Sequence, residues 1–183
     1  MLSDETEIIY LLFLTVNSRC QSFSEGIAVS SLDKDIFIEA ITNRTWSNVL
    51  GGEWAIINAE EDYEENYSNS VKLQNRSPVY NCHCYAWHTP NASSDEYVWI
   101  ESEHAIDYLF DSHCEEIEQE EVGSLIVYFD NNGEMLHSGL VTAISGPNIY
   151  IVSKLGNCGV YRHLLQDCSY FEDCSYVKYY RYG

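Results

Sequence analysis

Residues 125–154 constrain the fold more than any other part of the chain. Leu125-Ile126-Val127-Tyr128-Phe129 is a continuous β-branched and aromatic run, followed by the turn residues Asp130-Asn131-Asn132-Gly133. Leu136 to Ile144 is a second such run. Ser145-Gly146-Pro147-Asn148 then turns the chain into Ile149-Tyr150-Ile151-Val152-Ser153-Lys154. Three strands joined by tight turns are read as an antiparallel meander. A further strand at 176–181, short, charged and terminal, is expected at a sheet edge.

Upstream of this meander lies Asn81-Cys82-His83-Cys84-Tyr85-Ala86-Trp87-His88. Ser77-Pro78 cannot continue a helix, whereas Tyr85, Ala86 and Trp87 are free of breakers, so a short helix is expected with Cys82 in its first turn. Free N–H groups at such a terminus lower a thiol pKa and favour a thiolate nucleophile. Glu96 to Ile100 has strand-like content, and Ser102 is expected to cap a helix from Glu103 to about Glu116. Helix first and sheet after it give an α+β fold.

Residues 1–70 are read as an accessory N-terminal extension and 71–183 as the main domain. Within the extension, Asp33 to Ala40 has the makings of a short helix. Gly51-Gly52 suggests a turn before a strand at Trp54-Ala55-Ile56-Ile57, and Glu60 to Ser70, acidic and without apolar periodicity, reads as a linker. The apolar run Ile8 to Val16 is too short to span a bilayer as a helix. It has the length of a signal-peptide core but follows acidic residues, and a buried element of the folded protein is the favoured reading.

The formal charge is −20, and residues 134–183 are balanced by four acids and four bases, so the whole excess lies in 1–133. Between Asn91 and Glu121 eleven acids occur with no Lys or Arg. Such a block repels phosphate backbones and anionic lipid, which argues against nucleic acid as a partner. Seven cysteines leave at least one unpaired, and Cys158, Cys168 and Cys174 are close enough in sequence to contribute one bridge in an oxidising compartment. Asn43, Asn66, Asn75 and Asn91 stand in glycosylation tripeptides, whose use depends on secretion.

Cysteine catalysis requires an imidazole within reach of the thiol and a polar group to orient the ring. His137 begins a strand 55 positions after Cys82, where its side chain can face a helix packed on the sheet. Ser153 or Lys154, on the next strand, can lie beside it. Cys84 is the rival nucleophile, pointing away by two helical steps. Cys82, His83, Cys84 and His88 also admit a metal reading, without the second Cys pair of structural zinc, and no cofactor is expected. His83, His104, His113 and His163 are read as surface or supporting residues, and Trp87 as core.

The order Asn81-Cys82-His83-Cys84-Tyr85-Ala86-Trp87, Val122-Gly123-Ser124-Leu125-Ile126-Val127-Tyr128-Phe129, His137-Ser138-Gly139-Leu140-Val141 and Tyr150-Ile151-Val152-Ser153-Lys154-Leu155-Gly156 resembles the NlpC/P60 and CHAP superfamily of papain-like cysteine peptidases and amidases. The resemblance covers about residues 78–182. It implies a papain-like domain whose helix carries the nucleophile Cys82, with His137 as general base and Ser153 at the third position. There, members of the superfamily usually have His, Asn or Gln. It departs again at Ser124, where an Asp usually follows the Gly. The implied activity is hydrolysis of an amide bond in a peptide or peptidoglycan-like substrate, and the alternative is a catalytically inactive binding or effector module on the same fold.

Overall fold

The computed structural model describes residues 46, 49–87, 99–102, 105 and 114–182. Helix α1 (Gly52–Asn66) leads to β1 (Val71–Gln74) and the short helix α2 (Cys82–Trp87). The strands that follow are β2 (Cys114–Ile117), β3 (Leu125–Phe129), β4 (Met135–Ser145), β5 (Asn148–Lys154), β6 (Val160–Leu164) and β7 (Tyr176–Tyr182). One turn of 3-10 helix, Leu165–Asp167, separates β6 from the segment that precedes β7. All seven strands form one sheet in the order β1-β6-β5-β4-β3-β7-β2, every neighbouring pair antiparallel. The α+β architecture and the β3-β4-β5 meander are as expected. At the β4–β5 turn Gly146 takes φ 57°, which a residue bearing a Cβ adopts only with strain.

β3 is buried on both faces because it lies inside a sheet covered on both sides. On one face α2 packs Cys84, Tyr85, Ala86 and Trp87 against Leu125, Val127, Leu140, Val152 and Tyr180. On the other, Ile126, Tyr128, Val141, Ile151 and Tyr161 pack with Tyr63 of α1 and Cys168.

Five sequence expectations are corrected. β7 is no edge strand but sits between β3 and β2, because Lys178 pairs with Glu116 at 2.8 Å and the acidic β2 covers it. Cys114 to Glu116, expected to end a helix, is therefore a strand. Trp54 to Ile57, expected as a strand, and Glu60 to Asn66, expected as linker, belong to α1. Trp99 and Ile100 are not in a strand. The Ile100 carbonyl instead accepts the Asn81 side-chain N–H at 2.6 Å.

The expected helix at 33–40 and the apolar run at 8–16 lie outside the described residues, as do His88, His104 and His113. Among the described residues no helix is long and apolar enough to cross a membrane.

Candidate functional site

Asn81 fixes where α2 begins. Its side-chain oxygen accepts the Cys84 N–H at 3.2 Å while its own carbonyl accepts the Tyr85 N–H at 3.0 Å, the two bonds of an Asn N-cap. Cys82 is thus the first helical residue. The helix body is buried, and so is Cys82 itself, with 4% of its surface exposed.

The sheet opens where this helix start meets it. The β4–β5 ladder runs from Ser145 opposite Asn148 to Leu140 opposite Val152 and goes no further, although β4 begins at Met135 and β5 continues to Lys154. The Cys82 sulfur sits at this notch, held by the backbone N–H of Ser138. That N–H belongs to the peptide unit joining His137 to Ser138, so sulfur and His137 Cα are no more than about 6 Å apart. The structure therefore brings the helix start to β4 at Ser138, the residue after His137.

Ser138 and His137 point to opposite faces. The Ser138 hydroxyl bonds His83 Nδ1 at 3.0 Å on the α2 side, and His83 stacks on Trp87. His137 lies opposite Tyr128 and stacks on Tyr170, ring centroids 4.5 Å apart and 8° from parallel. A register shift between Tyr128 and Phe129 makes Leu136 the extra residue of a bulge, which sends His137 to the face opposite Met135. Neither ring nitrogen of His137 has a hydrogen-bond partner among the described residues, although the side chain is fully buried. The sulfur–imidazole hydrogen bond is thus not made in this state.

Electrostatics set both groups neutral. Burial pushes the Cys82 thiol up to about 11, outweighing the N–H groups of Ser138, His83 and Cys82 itself and the nearby Lys154. The thiolate expected at a helix start is not the resting form, because this six-residue helix buries the sulfur before its terminus can stabilise a charge. Burial also holds His137 well below the ordinary histidine value, with His163 and His83 adding repulsion. Cys82, Cys158, Cys168 and Cys174 are free thiols, so the Cys82 sulfur is not locked in a cystine.

The third position differs from expectation. Ser153 shares the His137 face, but its hydroxyl bonds His163 Nε2 at 2.8 Å. His163 Nδ1 donates to the Leu164 carbonyl at 2.8 Å, which leaves Nε2 to accept the serine proton. His163 is thereby buried and partnered, not a surface residue, and so is His83. Lys154 does not stand in for Ser153 either. Burial brings its ammonium down to about 8, and it donates to the carbonyls of Ser77 at 2.9 Å, Gly156 at 2.5 Å and Cys158 at 2.8 Å. It ties the loop before α2 to the β5–β6 loop. The signal for His163 was its place in β6, in step with Tyr161 on the face that Ser153 shares.

A buried sulfur against a strand N–H, one peptide unit from an imidazole with two free nitrogens, has the parts for proton-coupled thiol attack on a carbonyl. No family model, no curated protein and no solved structure matches this chain.

Proposed function

We propose that the chain is a cysteine hydrolase of the amidase or endopeptidase class, acting on a peptide or peptidoglycan-like amide with Cys82 as nucleophile and His137 as base. One observation carries the reading: the Cys82 sulfur rests on the N–H that follows His137, while both His137 nitrogens stay buried and unpartnered. A buried polar group left without a partner costs about 1–3 kcal/mol, a cost that a transient catalytic bond accounts for.

In the reaction the imidazole turns off Tyr170 and takes the Cys82 proton as the sulfur attacks the amide carbonyl carbon. The N–H groups of Cys82 and His83 stabilise the oxyanion. The C–N bond breaks, His137 returns the proton to the leaving amine, and water hydrolyses the thioester. Acid and base are both neutral at rest, so this is general-base catalysis and not attack by a preformed thiolate. The charge of −20 favours substrates that carry positive groups.

The second reading is a binding module without activity, favoured by the missing sulfur–imidazole bond and the 4% exposure of Cys82. Treatment with the activated ester p-nitrophenyl acetate, followed by mapping of the acetylated cysteine, separates the two. The hydrolase reading expects the acetyl group on Cys82, with p-nitrophenolate release falling at least about 100-fold in Cys82→Ala and changing less than about threefold in Cys84→Ala. Equal release from wild type and Cys82→Ala leaves the binding module.

A further inference from the structure

Ser153 and His163 form a hydrogen-bonded pair that the thiol chemistry, as written above, leaves unused. The pair is directional: the Leu164 carbonyl takes the Nδ1 proton of His163, so Nε2 takes the proton of Ser153, and the serine oxygen keeps both lone pairs. Ser153 lies on β5, beyond the last β4–β5 ladder pair, where continuing the register sets it against Gly139.

Gly139 holds the lane open. A Cβ there would lie 3.0 Å from the Ser153 Cβ and 2.7 Å from Ile151 Cγ2, so only glycine fits between the strands. His137, two residues before Gly139, projects from the same face and is the diagonal neighbour of Ser153 across that gap. Titratable groups nearest His137 on this side include Tyr128 from β3, His163 from β6, and Tyr170 from the segment after the 3-10 turn; His83 acts from the α2 side.

We infer that His163 and Ser153 are positioning residues for His137, the polarised Ser153 oxygen accepting the imidazole N–H once the ring turns from Tyr170 toward Cys82. The inference rests on the hydrolase reading and names what orients its base: a serine made a firmer acceptor by a histidine behind it, in place of a single His, Asn or Gln. The two residues work as one unit, since Ser153 lacks a fixed proton direction without His163, and the hydrogen-bond path from His163 toward His137 runs through Ser153.

The test measures acetylation of Cys82 by p-nitrophenyl acetate in wild type, His137→Ala, Ser153→Ala, His163→Leu, His163→Gln and the double variant Ser153→Ala/His163→Leu. Ser153→Ala and His163→Leu are each expected to slow acetylation about tenfold, the scale of one lost hydrogen bond, and the double variant no further. His163→Gln, whose side-chain carbonyl can accept the serine proton, should return the rate to within about threefold of wild type. If His137→Ala slows the reaction while the Ser153 and His163 variants match wild type, or if the two single effects multiply, the positioning role is overturned and the hydrolase reading stands. If His137→Ala acetylates at the wild-type rate, the hydrolase reading falls first and takes the inference with it. Should His163→Leu fail to fold, Ser153→Ala and His163→Gln decide.

Discussion

Acidification from pH 7 to pH 5 is expected to remove about 4 kcal/mol of folding stability through His83 and His163 alone. Burial holds His83 down to about 3 and His163 to about 4, and keeps His137 well below 6.5, so all three are neutral in the folded protein. In the unfolded chain each titrates near 6.5. Below that pH the unfolded state takes up protons that the folded state refuses, and stability therefore falls as pH falls. The loss begins near 6.5 and continues to about 4 for His163 and about 3 for His83, where each takes its proton in the folded state. At pH 5 His83 and His163 each contribute about 2 kcal/mol of it, and His137 adds in the same direction. A domain of this size has roughly 5–15 kcal/mol in total, so the drop brings the protein close to unfolding. Urea denaturation at the two pH values measures it. Equal stability at both, or a gain on acidification, would mean that these imidazoles are not buried neutral.

Replacing Glu60 is expected to be the most damaging single change among the surface-facing elements. Its carboxylate, 3% exposed, joins three parts of the fold: Arg76 at 2.7 Å, Lys72 of β1 at 2.9 Å and the Gly159 N–H before β6 at 2.7 Å. Burial works against the charge, but the donors of Lys72, Arg76 and Gly159 outweigh it and lower the carboxyl below its ordinary value. With the folded pKa depressed, this stabilisation is present above the ordinary carboxylate range and is lost as pH falls through the folded value. Glu60→Ala leaves a buried N–H unmet and takes from Lys72 and Arg76 their buried carboxylate, Lys72 keeping Glu64 and Arg76 keeping Glu53, at a cost of about 3 kcal/mol. In thermal unfolding this is roughly 10 °C. Glu60→Gln keeps an acceptor for Gly159 and should lose less than half as much. A Glu60→Ala protein within about 1 kcal/mol of wild type would show that the network is solvated and not structural.

Glu60 also explains why α1 was illegible from the sequence. Its buried face carries a carboxylate whose partners lie 12 to 99 residues away, so Glu60 to Asn66 shows no apolar stripe and reads as a loop. Trp54 to Ile57 is β-like in composition, and the helix prevails over that local preference. β2 was hidden for a related reason. Its acids Glu115 and Glu116 look helical until Lys178 and the rest of β7 pair with them.

The meander, in contrast, is written locally, with turn residues between β-branched runs, and so is the helix behind Pro78 that carries Cys82. At the site, the meeting of Cys82 with the strand of His137 follows from helix and strand order. The direction of His137 does not, because the Leu136 bulge depends on pairing with Phe129. The pairing of Ser153 with His163 was equally out of reach, set by a diagonal across β5 and β6.

The pH dependence of Cys82 acetylation, wild type against His137→Ala, from pH 6 to pH 9, tests the neutral thiol and imidazole most directly. With the thiol near 11 and His137 neutral throughout, the reacting pair has one protonation state across this range, and the wild-type rate should be flat. Without the imidazole only the thiolate reacts, so His137→Ala should start slower and climb about tenfold per pH unit. Superimposable profiles for the two proteins would contradict the pairing of Cys82 with His137.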